Sequence, residues 1–431
     1  MNPVAVMFIL FFALLVIGVP IGVSIAITCV ASTIINPSMT TTATYCVRNF
    51  ICGLDVQSML AVPLFIISGN LMARGGISKK LFDFFAYFLG ALPAGMPITV
   101  IITCLFYGAI SGSSPATVAA VGAMCIPILT SLGYSLEFTT ALVTTAGSLG
   151  VIIPPSIPFI MYGLATGASV GNLFIAGIIP GCIIALCLIS YAVYYCKKHG
   201  EDREKLMENK QRLRKNGFAS ILKDSFFAIL TPVIILGGIY GGIVTPTEAA
   251  GISVIYAIIV SMFIYRTVTL KDLYAIYVES AKTVAPIMIV VAFATVFGRV
   301  LTFSGVPQSL AAFIASSFNS KIVLLLVLNV FMLIVGALMD TTPAILILAP
   351  ILMNAVTQFG INPVHFGVIM IVNLAIGFVT PPIGLNLYVA SSMTKLPVMK
   401  IAKNAIPFLI AFIFALLLIT YVPQFSLALV G

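Results

Sequence analysis

The stretch GAISGSSPA at residues 108–116 returns later in the chain as GALMDTTPA at residues 336–344. A second pair follows in the same order, with GVIIPP at residues 150–155 and GFVTPP at residues 377–382. The first pair is offset by 228 residues (336 less 108) and the second by 227 (377 less 150). Because two motifs recur with nearly the same spacing, the sequence predicts an internal structural repeat.

The composition indicates that most of this chain lies in a lipid bilayer. Hydrophobic residues make up 61% of the 431 residues and charged residues only 8%, whereas a soluble domain carries about 25% charged residues. Continuous apolar runs such as 322–338 and 406–420 predict spanning helices, since a membrane barrel would alternate apolar and polar positions. The predicted fold is therefore an all-α polytopic membrane protein.

One long polar stretch, residues 197–223, divides the chain near its middle. It contains nine of the 21 lysines and arginines, which the positive-inside rule assigns to the cytoplasm without any nucleic-acid partner. Several apolar segments are shorter than the roughly 20 residues of a full span, which predicts re-entrant hairpins and broken helices in inverted repeats. The first predicted repeat, at 1–196, contains scaffold helices, hairpin 97–132 and broken helix 136–167. The basic connector follows at 197–223. The second predicted repeat, at 224–431, contains scaffold helices, hairpin 322–358 and broken helix 364–394.

Each repeat contains a polar island within apolar sequence, residues 111–115 in the first half and 340–343 in the second. Proline removes a backbone donor and disfavours helix at the preceding residue, so each helix must be interrupted there. Interrupted backbone at membrane depth occurs only where it is buried in protein or lines a cavity. Its free carbonyls and hydroxyls suit Na⁺, and the helix start after the proline favours a carboxylate. The alternative is a plain helix–helix turn at the surface.

The paired prolines form a second interruption in each half, at residues 150–155 and 377–382. Adjacent prolines force an unwound stretch with unpaired carbonyls, and Thr380 adds a hydroxyl. If each unwound stretch packs against the island of its own half, the two together complete a cation cage. The sequence therefore predicts two Na⁺ sites, one per half. The alternative is a structural kink that neighbouring serine and threonine side chains satisfy.

A few charged and amide side chains interrupt the apolar sequence. Asp340 lies in the second island, where a costly carboxylate could neutralise a cation or position a gate; the alternative is an ion pair with Arg299 or Lys321. Arg299 could bind a substrate carboxylate through two parallel hydrogen bonds, or extend to a membrane surface. Glu248 is expected to make a favourable helix-start contact. Three amides are expected to form interhelical hydrogen bonds: Asn70, Asn329 and Asn373.

The sequence carries no pattern for covalent chemistry. His199 and His365 lack a serine or cysteine partner at a spacing typical of a nucleophile, the eight cysteines form no CxxC pair, and there is no G-x-x-x-x-G-K-[ST] phosphate loop. An ATP-driven pump is therefore disfavoured, as is an intramembrane enzyme, which would need paired catalytic residues within its spans. A channel or a self-sufficient exchanger remains the alternative to a Na⁺-coupled carrier.

Four motifs make the sequence similar to the large membrane subunit of the tripartite ATP-independent periplasmic (TRAP) transporters. They are GAISGSSPAT at 108–117, GSLGVIIPPSIP at 147–158, TPTEAAG at 245–251 and GFVTPPIG at 377–384, and the resemblance covers essentially the whole chain. It implies an elevator-type carrier in a bacterial inner membrane, driven by Na⁺, for an organic acid such as sialic acid, another sugar acid or a C4-dicarboxylate. It also implies two partners, a small four-helix membrane subunit in a separate chain and a soluble periplasmic binding protein.

The resemblance also assigns roles to individual residues of the islands and proline breaks. The expected Na⁺ ligands are Ser111, Gly112, Ser114, Gly150, Ile153, Pro155, Gly336, Asp340, Thr341, Gly377, Thr380 and Pro382. The expected substrate contacts are Ser113, Ser114, Thr117, Asn70, Arg299 and Thr342. No catalytic residue is expected.

Overall fold

The computed structural model describes residues 3–35, 43–215, 217–318 and 320–430. It is 84% helical and contains no β-strand in these ranges. Eight of the described helices are long and apolar enough to cross a bilayer, or nine if the bent pair Thr44–Leu54 and Gln57–Arg74, which meet at 59°, forms one span. The prediction of an all-α polytopic membrane protein is confirmed.

The described part of the first half contains ten α-helices and two 3₁₀ turns. The first apolar run divides in two near Gly18, which has a φ of 90°, and Pro20, which lacks the donor that a continuous helix needs. The helices are α1 (Pro3–Val16), α2 (Ile21–Ile35), α3 (Ala43–Leu54), α4 (Ala61–Arg74), α5 (Ile77–Leu89), α6 (Gly95–Ser111), α7 (Ser114–Ser131), α8 (Leu136–Ala146), α9 (Ile157–Thr166) and α10 (Val170–His199), with 3₁₀ turns at Gln57–Leu60 and Gly147–Val151.

The described parts of the connector and the second half are also helical. The connector contains a helix of its own, and α10 before it extends through the lysines at 197 and 198, so the non-helical linkers are shorter than the charge pattern suggests. The helices are α11 (Arg203–Lys215), α12 (Phe218–Tyr240), α13 (Pro246–Ile258), α14 (Leu270–Phe303), α15 (Val306–Ser317), α16 (Lys321–Leu338), α17 (Thr341–Gln358), α18 (Pro363–Gly377), α19 (Leu385–Thr394), α20 (Val398–Tyr421) and α21 (Gln424–Leu427), with a π-helical turn at Ile259–Ile264 after α13.

The helices pack as two groups. Helices α1 to α4 and α12 to α14 form one group, in which α14 contacts α2, α3 and α4, and α4 contacts α13. Helices α6 to α10 and α16 to α20 form the other, where α10 and α8 pack on α20 and α16 packs on α18. The two groups meet where α4 contacts α6 and where α14 contacts α17, and α5 packs on both α6 and α12. Both pairs of island helices therefore belong to the second group.

Polar contacts gather several chain segments at one end of the molecule. The Glu201 carboxylate accepts a hydrogen bond from the Ala94 backbone N–H at 2.9 Å and another from the Tyr134 hydroxyl. Ala94 precedes α6 and Tyr134 follows α7, so these two helices form an antiparallel hairpin whose base the connector clamps. Lys400 pairs with Glu137 at 2.7 Å, which brings the start of α20 to the same end. Basic segments 197–223 and 395–403 therefore share one side of the protein.

The two island pairs are not packed identically. Helices α6 and α7 lie against each other and against the 3₁₀ turn of their own break. In the second half α16 packs mainly on α18, whereas α17 packs on α9, α14 and α15. The repeat therefore preserves the interruptions but changes the neighbours of the helices that flank them.

Candidate functional site

In each half the polar island packs directly on the proline break through a pair of glycines. A Cβ atom on Gly108 would lie 2.7 Å from the Cα of Gly150, and one on Gly377 would lie 2.2 Å from the carbonyl oxygen of Gly336. Only glycine permits two backbones to approach this closely. Gly108 corresponds to Gly336 in the repeat and Gly150 to Gly377, so the same contact is built twice.

The first island gathers oxygen atoms around its interruption. The Ser111 hydroxyl lies 2.9 Å from Thr117 Oγ1 and 3.3 Å from the Ser113 carbonyl oxygen. The Thr117 hydroxyl donates to the same carbonyl at 2.8 Å. A Cβ atom on Gly150 would lie 2.8 Å from the Ser113 carbonyl oxygen, so the break borders this cluster. The island thus presents hydroxyl and carbonyl oxygens together, which are the ligand types that hard cations prefer.

The second island begins α17 with an acidic cap. Asp340 Oδ1 accepts from the Thr341 backbone N–H at 2.8 Å and lies 3.5 Å from the Thr341 hydroxyl. Within the described ranges, no ion pair joins Asp340 to Arg299 or Lys321. The ion pair considered as an alternative therefore does not hold this carboxylate. The Asp340 side chain instead caps the start of α17, where the helix dipole favours a negative charge.

One short stretch after the second proline break holds both islands. The Ile383 backbone N–H donates to the Ala337 carbonyl oxygen at 3.2 Å, just before the second island. Three residues later, Asn386 Nδ2 lies 2.8 Å from the Ser114 hydroxyl of the first island. Three residues span at most about 10 Å, so the two islands converge on one region of the fold.

The convergence lies inside the protein. Ser114 is 0% exposed, Thr341 4% and Thr342 7%. A plain turn at the surface is therefore excluded for both islands. Helix α7, which follows the first island, packs on α19, which follows the second break. Helix α17, which follows the second island, packs on α9, which follows the first break. Each island helix is therefore packed against a helix of the opposite half.

Asn386 is the central residue that the sequence analysis missed. Its fully buried amide lies 3.0 Å from the Thr144 carbonyl oxygen and 3.2 Å from the Ser148 hydroxyl, in addition to Ser114. These partners belong to the first half, and Asn386 to the second. The available signal was an amide close behind the GFVTPPIG motif in an otherwise apolar segment.

The other expected Na⁺ ligands of the first half, Gly112, Ile153 and Pro155, lie where the first island meets the first proline break. The Pro155 carbonyl oxygen lies 2.8 Å from the position that a Cβ atom on Gly112 would occupy. The Gly112 carbonyl in turn accepts from the Ile157 backbone N–H at 3.4 Å. The Ile153 backbone N–H donates to the Leu149 carbonyl oxygen at 2.9 Å. The Ile153 carbonyl belongs to the unwound stretch that follows.

In the second break the candidate oxygens already have protein partners. The Thr380 hydroxyl donates to the Ile376 carbonyl oxygen of its own helix at 2.9 Å. The Pro382 carbonyl oxygen accepts from the Tyr388 hydroxyl at 3.4 Å. A cation at this break would therefore compete with local hydrogen bonds.

Two candidate substrate contacts lie away from the islands. Asn70 on α4 donates to the Ser280 hydroxyl on α14 at 2.9 Å, an interhelical hydrogen bond within the first helix group. Arg299, near the end of α14, donates to Asn49 Oδ1 on α3. The structure therefore brings neither side chain to the Ser111 cluster, although Asn70 follows Gly69, whose Cβ position lies 3.1 Å from the Ser111 Cα.

The other expectations for polar residues are confirmed. Glu248 forms a capping box with Thr245 at the start of α13. Asn373 donates to Asn329 Oδ1 at 2.8 Å, and Asn329 donates to the Thr420 hydroxyl at 3.1 Å, which joins α16, α18 and α20.

Three comparisons with known proteins agree with this architecture. A family profile described as "Tripartite ATP-independent periplasmic transporter, DctM component" matches residues 8–425. The isethionate TRAP transporter permease protein DctMQ of Oleidesulfovibrio alaskensis is 40% identical over all of this chain and 67% of its own length. The C4-dicarboxylate TRAP transporter large permease protein DctM of Pseudomonas aeruginosa is 40% identical over 86% of each chain. The crystal structure of the Alcanivorax borkumensis YdaH transporter superposes with a TM-score of 0.62 at 14% identity, over 95% of this chain and 98% of that one.

Duplicated helix interruptions buried in a multi-pass helical protein are typical of membrane transporters. The chain belongs to the DctM family of TRAP transporters, as its large permease subunit. The resemblance inferred from its motifs is thereby confirmed.

Proposed function

We propose that this subunit carries an organic acid inward across a bacterial inner membrane, coupled to Na⁺. The observation that carries the proposal is the duplicated contact of island on break, through Gly108 with Gly150 and Gly336 with Gly377. In the first half, hydroxyl and carbonyl oxygens of the island adjoin the break. In the second half, the repeated glycine contact lies close in sequence to the Asp340 carboxylate and the Thr341 hydroxyl. Because the same glycine contact occurs in both halves, we propose that each half binds a Na⁺ ion.

The chemistry of the donor set fits Na⁺ at both positions. In the first half the ligands would come from Ser111, the Ser113 carbonyl and the break at Gly150, whose oxygens or backbone already adjoin one another. In the second they would come from Asp340, Thr341 and the break beginning at Gly377. Bound Na⁺ would supply positive charge beside the substrate anion, and hard oxygen ligands are suited to it.

The substrate class follows from the relatives. A C4-dicarboxylate and isethionate, named for two relatives, are both small organic anions. We therefore propose a small organic acid as cargo, with sialic acid and other sugar acids as further members of the class. The buried helix starts of α7 and α17 favour an anion through their dipoles.

Two protein partners belong to the proposal. The first is a small membrane subunit, which the longer relative named DctMQ suggests is joined to the large one in some members of the family. The second is a soluble binding protein that delivers the substrate outside the inner membrane. This chain would require both, in contrast to a self-sufficient exchanger or channel.

We assign the two helix groups to the fixed and the moving parts of an elevator. The group of α1–α4 and α12–α14 would be the fixed scaffold, and the group that contains both islands would move. The repeat boundaries 1–196 and 224–431, with the connector between them, assign scaffold helices and an interrupted body to each half. Apolar side chains exposed along α1, α2 and α14, such as Phe12, Val23 and Ile289, suit a scaffold that faces lipid or the small subunit.

The test is uptake by proteoliposomes that contain the complete complex and its binding protein, in a Na⁺ gradient or with K⁺ in place of Na⁺. Ser114→Ala should lower Na⁺-dependent uptake at least tenfold, because it removes an island hydroxyl at 0% exposure. Ser131→Ala is the matched control, since Ser131 ends the same helix and bonds only locally to the Ile128 carbonyl. Thr341→Ala and Thr357→Ala form the equivalent pair on α17.

Three results would contradict the proposal. Uptake that is equal in Na⁺ and K⁺ would show that Na⁺ does not drive transport. Accumulation without the binding protein would favour the self-sufficient exchanger. Equal activity of Ser114→Ala and Ser131→Ala would remove the first island from the mechanism.

A further inference from the structure

A cavity of about 360 Å³ lies between the two helix groups, away from the glycine contacts. Helices α3 and α14 form one wall, and α9 and α17 form the other. This volume lies in the range of small-molecule sites, which runs from roughly 300 to 1,000 Å³. Its walls come from the group proposed as scaffold and from the group proposed to move.

Arg299 is the one charged side chain among the residues that line this cavity. The remaining lining is apolar or weakly polar, for example Cys52, Val291, Thr295 and Leu346. Within the described ranges, no ion pair joins the Arg299 guanidinium to a carboxylate. A permanent cation facing a cavity without a counter-charge is suited to an anionic ligand.

The exposed Arg299 side chain is oriented by a hydrogen bond to a neighbouring helix. Its Nη1 donates to Asn49 Oδ1, and the Asn49 amide is anchored in turn because its Nδ2 donates to the Tyr45 carbonyl oxygen at 2.8 Å. Asn49 is buried and neutral, so it orients the guanidinium without neutralising it. A guanidinium has five N–H donors, and the contact with Asn49 occupies one of them.

The cavity is bordered by the helix that begins at the second island. Leu346 and Pro350 on α17 line it. Thr342 precedes Leu346 by four residues, so all three lie on one face of the helix, with Thr342 about 6 Å along the axis from Leu346. An anion held at Arg299 therefore lies beside the helix whose first turn contains Asp340 and Thr341.

We propose that Arg299 is a specificity-determining anion receptor for a terminal oxyanion, a carboxylate or sulfonate, in this cavity between α3, α9, α14 and α17. Its planar fork binds two oxygens of such a group in parallel. The inference rests on the proposed function only for the statement that this anion is the cargo. Binding of an oxyanion at Arg299 stands or falls independently of Na⁺ coupling.

Cys52 provides a reporter for this proposal, because its exposed thiol lines the same cavity. The full chain in nanodiscs would be treated with the anionic sulfonatoethyl, the cationic trimethylammonioethyl and the neutral methyl methanethiosulfonates, and labelling would be followed by peptide mass spectrometry. Cys182, an exposed thiol on α10 outside the cavity, is the internal control. A nearby positive charge accelerates the anionic reagent and slows the cationic one.

The expected result at low salt is an anionic-to-cationic rate ratio at Cys52 that falls at least about fivefold in Arg299→Gln, with the ratio at Cys182 unchanged. Arg299→Lys should retain the ratio, because the charge remains. Succinate or isethionate should protect Cys52 in the natural protein. That protection should weaken at least tenfold in Arg299→Lys, because lysine lacks the fork that binds two oxygens.

Three outcomes would overturn the inference. One is a Cys52 ratio equal to that of Cys182 and unaffected by Arg299→Gln. Another is a Cys52 that reacts only with the neutral reagent, which would indicate a cleft filled by lipid. The third is equal protection in Arg299→Lys and the natural protein. Loss of Na⁺ dependence in uptake would leave all of these measurements unchanged, so the two proposals fail separately.

Discussion

Methyl groups placed on the repeated glycines test how tightly each island must sit on its break. In Gly377→Ala the new Cβ would lie 2.2 Å from the Gly336 carbonyl oxygen, whereas ordinary contact begins at 3.4 Å. The two backbones must therefore separate by about 1.2 Å (3.4 less 2.2). In Gly150→Ala the nearest backbone atom is the Ser113 oxygen at 2.8 Å, which requires about 0.6 Å (3.4 less 2.8), and the closer Thr117 hydroxyl at 2.4 Å can rotate.

The expected effects follow the size of these displacements. A misplacement of 1 Å in a positioned site can cost about a hundredfold in rate, so Gly377→Ala should lower Na⁺-driven uptake about a hundredfold. Gly150→Ala should lower it less, by about tenfold. Gly251→Ala is the matched control, because a Cβ there meets no atom within 4 Å.

A second measurement separates cation binding from transport. Na⁺ at ten times its Kd stabilises a folded protein by about 1.4 kcal/mol per site. Thermal unfolding of the purified subunit in Na⁺ and in K⁺ should reveal this difference in the natural protein and in Gly251→Ala, and a smaller one in Gly377→Ala. Full Na⁺ stabilisation and uptake in Gly377→Ala would refute the role assigned to the glycine contact.

Two further predictions concern contacts between distant parts of the chain. Asn386→Ala should lower the free energy of unfolding by about 1–3 kcal/mol, because it leaves the buried Ser114 hydroxyl without its amide partner; thermal unfolding beside Asn404→Ala, which removes an exposed amide bonded within its own helix, would measure it. Glu201→Gln should weaken the clamp on the base of the first hairpin and increase hydrogen exchange around Tyr134, and unaltered exchange there would contradict the clamp.

Sequence determined the features of this protein that depend on local chemistry. Hydropathy separates the spans, because a membrane helix requires continuous apolar residues. Proline disfavours the helix interior, and Pro115, Pro343 and the two proline pairs lie beside polar residues or each other, which identified the islands and breaks without coordinates. Proline alone was not sufficient, because Pro127 and Pro350 lie inside continuous helices. The nearly equal spacing of these signals was enough to predict the repeat. Glu248 was expected to make a favourable contact at a helix start, and the capping box with Thr245 confirms that contact.

Tertiary structure alone decided which residues surround the islands. Asn386 reaches Ser114 over 272 positions of sequence, Arg299 reaches Asn49 over 250, and Glu201 reaches Ala94 over 107. No local pattern encodes such contacts, because they depend on which helix faces meet after the chain has packed. The same reason explains why the two equivalent helix pairs acquired different neighbours: a repeated sequence fixes where a helix breaks, whereas packing against the rest of the protein fixes what lies beside it.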